Sequence, residues 1–194
     1  MDLGTLLQIT IAAIFINNFV LSRFLGLCPY FGVSKQVDSA IGMGLSVIFV
    51  MTIAATVTWP IYYFVLKPLG IDFLQTIVFI LVIASLVQLV EMVIQKVSPS
   101  LYESLGIYLP LITTNCAILG VTVLNISESY NFIESVVNAF ASGVGFTLVL
   151  ILMSGIRVKL EDTPLPEYMK GLPLAFFVGA VMALAFMGFS GFKI

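Results

Sequence analysis

Five runs in this chain, at 41–64, 73–94, 105–124, 132–156 and 172–192, are almost wholly apolar. Each has the roughly 20 residues a helix needs to cross the hydrocarbon core of a bilayer. Charged residues make up only 9% of the chain, against roughly 25% in a soluble domain. Water cannot solvate a surface so poor in charge, so the solvent must be lipid. Little sequence is left between the runs, and the expected organisation over residues 1–194 is a single membrane domain. The chain starts Met1-Asp2, with no basic region before its first apolar stretch and no small-residue cleavage site after it. No cleaved signal peptide is expected.

The first stretch differs from the others. Residues 3–33 contain one charge, Arg23. As one straight helix these residues would span roughly 46 Å, against a hydrocarbon core of about 30 Å. The chain must therefore break, tilt or turn back. Asn17-Asn18 and Gly26-Leu27-Cys28-Pro29 are the expected places, since glycine relaxes the backbone and proline removes a helix donor. Counting this stretch, the expectation is an all-α polytopic membrane protein of six transmembrane segments. With the N-terminus outside, six basic residues (Arg23, Lys35, Lys96, Arg157, Lys159, Lys170) fall on the cytoplasmic side and two (Lys67, Lys193) outside. The positive-inside rule favours that orientation, with both termini extracytoplasmic in a prokaryotic inner membrane. Trp59, Tyr62 and Tyr63 then belong to the outer interface. Gln88 and Glu91 belong to the inner one.

The two halves resemble each other. Cys28-Pro-Tyr-Phe-Gly32-Val33 and Cys116-Ala-Ile-Leu-Gly120-Val121 both read C-x-x-x-G-V, 88 residues apart. Gly42-Met-Gly44-Leu-Ser-Val and Gly143-Val-Gly145-Phe-Thr-Leu match at an offset of 101. Repeats of about 1–97 and 98–194, with three spans each, must cross the membrane in opposite senses. The expectation is an inverted repeat whose helices 1 and 4 are broken near the midplane.

The chain has no histidine. That removes the usual general base and every Ser/His/Asp or Cys/His arrangement, so no catalytic residue is expected in this chain alone. A net charge of −2 points to no nucleic-acid partner. The two cysteines, Cys28 and Cys116, occupy equivalent repeat positions beside helix breakers. Three readings stand open. Cysteine in a membrane is often only a small hydrophobe. The pair could form a redox disulfide, for which a C-x-x-C pattern would be the usual sign and is absent. Or the thiolates could ligate iron: a cluster takes four, so two more would come from a second protein chain. Arg23, a cation within an apolar segment, is a candidate for tuning such a site, or it snorkels to the headgroups. Asn17, Asn18, Thr113, Thr114 and Asn115 either satisfy backbone groups freed at the breaks or line an ion path.

Asn17-Asn18-Phe-Val-Leu, Phe24-Leu-Gly-Leu-Cys28-Pro and Gly32-Val-Ser-Lys35 resemble the first half of the RnfA/NqrE family of membrane subunits. Gln88-Leu-Val-Glu91-Met, Leu105-Gly-Ile, Leu109-Pro-Leu-Ile-Thr-Thr-Asn-Cys116-Ala and Phe186-Met-Gly-Phe-Ser-Gly191 continue the match over essentially the whole chain. Asn17-Asn18 and Pro29 look more like the Rnf branch. The resemblance implies a subunit of the Rnf complex, which couples electron transfer between ferredoxin and NAD to Na+ or H+ translocation. It implies a homologous partner of opposite topology, RnfE-like, alongside the other Rnf subunits. It also implies a 2Fe–2S cluster within the membrane to which this chain gives Cys28 and Cys116. Flavin and NAD sites would belong to other subunits. The alternatives are an NqrE-like subunit of a Na+-pumping NADH:quinone reductase, a small inverted-repeat transporter with structural cysteines, and a membrane thiol oxidoreductase.

Overall fold

A computed structural model describes residues 3–97, 109–161, 166 and 169–188. All regular structure among them is helical. The α-helices of five residues or more are α1 (Leu3–Ile11), α2 (Leu27–Val33), α3 (Val37–Ile61), α4 (Gln75–Val97), α5 (Leu109–Thr113), α6 (Cys116–Ser127), α7 (Phe132–Glu161) and α8 (Leu172–Met187). Among the described residues four helical segments are long and apolar enough to span a bilayer: Val37–Leu69, Asp72–Met92, Pro110–Ser127 and Phe132–Leu160. Two shorter apolar helices, Gly4–Ile16 and Leu172–Met187, accompany them. The expected Leu105-Gly-Ile match, the start of the 105–124 run, and the end of the last run with Gly191 and Lys193 lie outside the described residues.

The outside and inside of the bundle follow the lipid rule. Leu45, Phe49, Phe64, Phe73, Ile77, Leu81 and Leu184 are exposed, while Asn18, Asn125, Asn138, Ser142 and Ser154 are buried. Polar groups in a membrane protein turn inward because hydrocarbon offers them no partner.

The most extensive helix pairing is α3 with α7, and the repeated glycines make it possible. A methyl group on Gly44 would run into the Thr147 side chain, and one on Gly143 would stand 2.9 Å from the Ile48 Cα. Between helices in lipid, close backbone approach replaces the hydrophobic drive. The matched windows also share a local bond: Ser46 Oγ donates to Gly42 O at 2.9 Å, and Thr147 Oγ1 donates to Gly143 O at 2.8 Å. We expect Gly143→Ala to push the α3 backbone aside and destabilise the bundle by about 1–3 kcal/mol, read as a lowered melting temperature in detergent. Gly155→Ala, on the same helix with nothing within 4 Å, is the control. Equal melting of the two variants would contradict the crossing argument.

At one end of the bundle Trp59 Nε1 donates to the Tyr130 carbonyl at 2.9 Å. Its ring packs 4.4 Å from Tyr63 and 5.4 Å from Phe132, and the Tyr62 ring lies 5.3 Å from Tyr63. Amphipathic rings gathered this way suit a headgroup layer.

Candidate functional site

The first stretch does break, in two stages. α1 widens into a π-helical turn, Ala12–Ile16, and ends at Asn17. The chain then runs without regular helix until Leu27. Asn18 holds this irregular segment together from the inside, being fully buried. Its amide nitrogen donates to Ile14 O (3.1 Å) and to Gly145 O on α7 (3.0 Å). Its oxygen accepts from the backbone N–H groups of Val20 (3.1 Å) and Leu21 (3.4 Å). One side chain thus serves four backbone groups that lipid would leave unpaired. Asn17 beside it is exposed and lines a cavity. Pro29 does not make the break. It lies in the first turn of α2, where a missing N–H costs nothing. The turn itself belongs to Gly26, at φ +80°.

The second break falls between α5 and α6. Thr114 Oγ1 donates to Pro110 O at 2.9 Å. Asn115 caps α6, its side-chain oxygen accepting from the Ala117 N–H at 3.0 Å. The Asn115 amide nitrogen is buried without a partner among the described residues. Thr113 ends α5. Cys116 is therefore the first residue of a helix, not the middle of one.

The two breaks meet. The Gly26 N–H donates to Cys116 Sγ at 2.9 Å. A methyl group on Gly26 would stand 3.1 Å from the Asn115 side-chain oxygen, 3.2 Å from Ala117 Cβ and 2.8 Å from the Phe146 ring. Gly26 is required here twice, for its left-handed backbone and for this close approach. Cys28 follows two residues later. Both thiols are exposed on the surface of the chain, although the surrounding Pro29, Tyr30, Asn115, Ala117 and Ile118 are buried. Among the described residues the two cysteines have no carboxylate or further thiol with which to complete a metal site.

The two arginines exchange the importance the sequence gives them. Arg23 is exposed, its guanidinium 6.0 Å from the centre of the Phe19 ring; it acts on Tyr130 at the Trp59 end of the bundle, not with the cytoplasmic charges among which the sequence count placed it. Arg157, which the sequence presents only as a loop charge, is 7% exposed. It donates from Nη1 to Phe31 O and to Ser34 Oγ, both at 2.9 Å. Phe31 and Ser34 lie at the carboxyl end of α2, where unpaired carbonyls gather partial negative charge and a cation is favoured. The seven-residue helix carrying Cys28 is thus anchored at both ends, to Cys116 through Gly26 and to α7 through Arg157. The sequence offered one faint sign, the helical spacing of Arg157 three and seven residues after Ser154 and Leu150; the structure buries both on one face of α7. A second buried network has no signal in the sequence pattern. Asn138 Nδ2 donates to Asn125 Oδ1 at 2.7 Å, and Asn125 Nδ2 donates to Ser135 O at 3.1 Å.

Broken apolar helices and inward polar side chains define a multi-pass helical membrane protein, here with two thiols on its surface. The profile of the family described as "Rnf-Nqr subunit, membrane protein" matches residues 6–193, and the chain belongs to that family. It is 57% identical over 190 residues to the A subunit of the Na(+)-translocating ferredoxin:NAD(+) oxidoreductase complex of Acetobacterium woodii, covering 98% of this chain and 99% of that one. It is 56% identical over 186 residues to the A subunit of the ion-translocating oxidoreductase complex of Syntrophotalea carbinolica, covering 96% of each. The same-named protein of Vibrio cholerae serotype O1 (strain ATCC 39315 / El Tor Inaba N16961) is 52% identical over 185 residues, covering 95% of this chain and 96% of its own.

Proposed function

We propose that this chain is the A-type membrane component of an ion-translocating ferredoxin:NAD+ oxidoreductase complex, and that it forms half of an electron relay inside the membrane. Near-full-length similarity to components of that name supports the complex. One observation carries the relay: two helix breaks, 90 residues apart in sequence, converge where the Gly26 N–H meets Cys116 Sγ, with both thiols exposed on the protein surface. In hydrocarbon two bare thiolates would be unstable, so iron sharing their charge fits the donor set.

The residues fit half of a 2Fe–2S site. Cys28 and Cys116 supply two of the four thiolates such a cluster takes, and the Gly26 amide supplies the hydrogen bond to sulfur that tunes potential. Bound there, the cluster would give the complex a one-electron carrier between the membrane faces. The chain's own residues do the rest. Gly26 and Asn115 open the helices, Arg157 fixes α2, and the apolar exterior excludes water. The missing thiolates come from a homologous partner of opposite topology that covers this face. In the same reading the four long and two short apolar helices are six spans of an inverted repeat, in the cytoplasmic membrane with both termini outside. The coupling ion is Na+ or H+. Arg23, exposed beside the break, adds positive charge that favours the more negative reduced state.

Iron analysis and EPR of the complex purified with its partners test this. A 2Fe–2S signal is expected from the complex and no iron from the chain expressed alone. Arg23→Gln is expected to lower the potential of that signal. A single, monomeric chain carrying a full cluster would refute the shared site, and an unchanged potential in the iron-loaded variant would return Arg23 to the headgroups.

A further inference from the structure

A cavity of about 240 Å³ lies among the first half-helix, its break, α6 and α7. It is several times the volume of one water molecule. Thr5, Gln8, Asn17, Tyr130 and Asn138 are the polar residues among those that line it. We propose that this cavity binds a sodium ion that keeps part of its water shell, as a station on the translocation path; the inference rests on the ion-coupled function proposed above.

Four features support the choice of a small, hard cation. The side-chain oxygens of Thr5, Gln8, Asn17 and Asn138 are neutral and hard, the kind alkali and alkaline-earth cations take. Asn138 spends its amide nitrogen on Asn125, which leaves its oxygen available to a cation. The carboxyl end of the first half-helix borders the space through Ala12, Ala13 and Asn17. The carboxyl ends of broken helices carry partial negative charge and hold cations in transporters. Among the described residues no lysine or arginine lines the cavity. The hydroxyl of Tyr130, one of the lining residues, is held above its ordinary pKa by burial and then by Glu128 and Glu134, with Arg23 opposing.

The inner end of the cavity points to coupling. Phe19 lines it and is 2% exposed. A methyl group on Gly120 would stand 3.4 Å from the Phe19 ring, and Gly120 is one helical turn beyond Cys116. The proposed ion station thus ends against the helix that carries one thiol.

The test uses the whole purified complex at rest, with 23Na NMR line broadening as the binding readout and K+ as the competitor. Gln8→Leu and Asn17→Leu each remove one exposed oxygen, and Asn138→Leu removes the buried one. Sodium binding is expected to weaken about tenfold in each, roughly 1.4 kcal/mol, with the EPR signal unchanged. The half-saturating Na+ concentration for ferredoxin-linked NAD reduction should rise in parallel. If Asn138→Leu fails to assemble, the two exposed positions still decide. Unchanged sodium binding in both would overturn the site. A parent complex that reduces NAD but binds no sodium would overturn it while leaving the proposed function standing. Site-dependent sodium binding in a complex with no ferredoxin-linked NAD reduction would do the reverse.

Discussion

Cys28→Ser and Cys116→Ser are each expected to abolish the intramembrane 2Fe–2S signal and ferredoxin-linked NAD reduction, with the protein still inserted and associated with its partners. Serine is nearly isosteric, and both side chains are exposed, so neither change opens a cavity. What is lost is the thiolate. The alkoxide that would replace it is far more basic, and three sulfurs do not complete a four-thiolate site. Cys116→Ser also alters the acceptor of the Gly26 N–H, but the hydroxyl can accept in its place. The expected result is loss of signal without loss of assembly, measured by EPR and by co-purification. Full NAD reduction in either variant would make the ligand assignment wrong and favour the reading of cysteine as a small hydrophobe.

Arg157→Leu is expected to loosen α2 and make the already exposed Cys28 more reactive. The change leaves Phe31 O and Ser34 Oγ without their donor. An unmade bond at a buried group costs about 1–3 kcal/mol. Removing a buried cation returns part of that through desolvation, so a net loss of about 2 kcal/mol is the reasonable scale. Arg157→Lys keeps the charge and one donor and should fall between. Two measurements separate a local effect from general unfolding: the melting temperature in detergent, and the maleimide labelling rates of Cys28 and Cys116 in the protein without iron. Faster labelling of Cys28 with Cys116 unchanged is expected. Equal acceleration of both would mean a global loss of packing, and no change would remove Arg157 from any role at α2.

The membrane character of this chain was legible from composition, because 9% charge cannot clothe a soluble surface whatever the fold. The break in residues 3–33 was legible from length, since that stretch exceeds the bilayer. The glycine repeat was legible too, and its consequence appears in the Gly44 and Gly143 contacts at the α3–α7 crossing. Composition and periodicity also singled out Cys28 and Cys116, through their equivalent places in the two halves. They could not say that Gly26, rather than Cys28 itself, makes the contact with Cys116. They could not say that Asn18 turns inward to serve four backbone groups while Asn17 turns to a cavity. Adjacent residues in an irregular segment have no period from which a direction can be read. Arg157 shows the same limit. A charge at the end of an apolar run is indistinguishable, one residue at a time, from a charge in a loop. Only the approach of α2, 123 residues earlier in the chain, buries it and gives it carbonyl and hydroxyl partners. Local physics along the sequence determines where helices form and fail. Which failures come together is decided by long-range packing, because the partners of a broken helix lie on other helices.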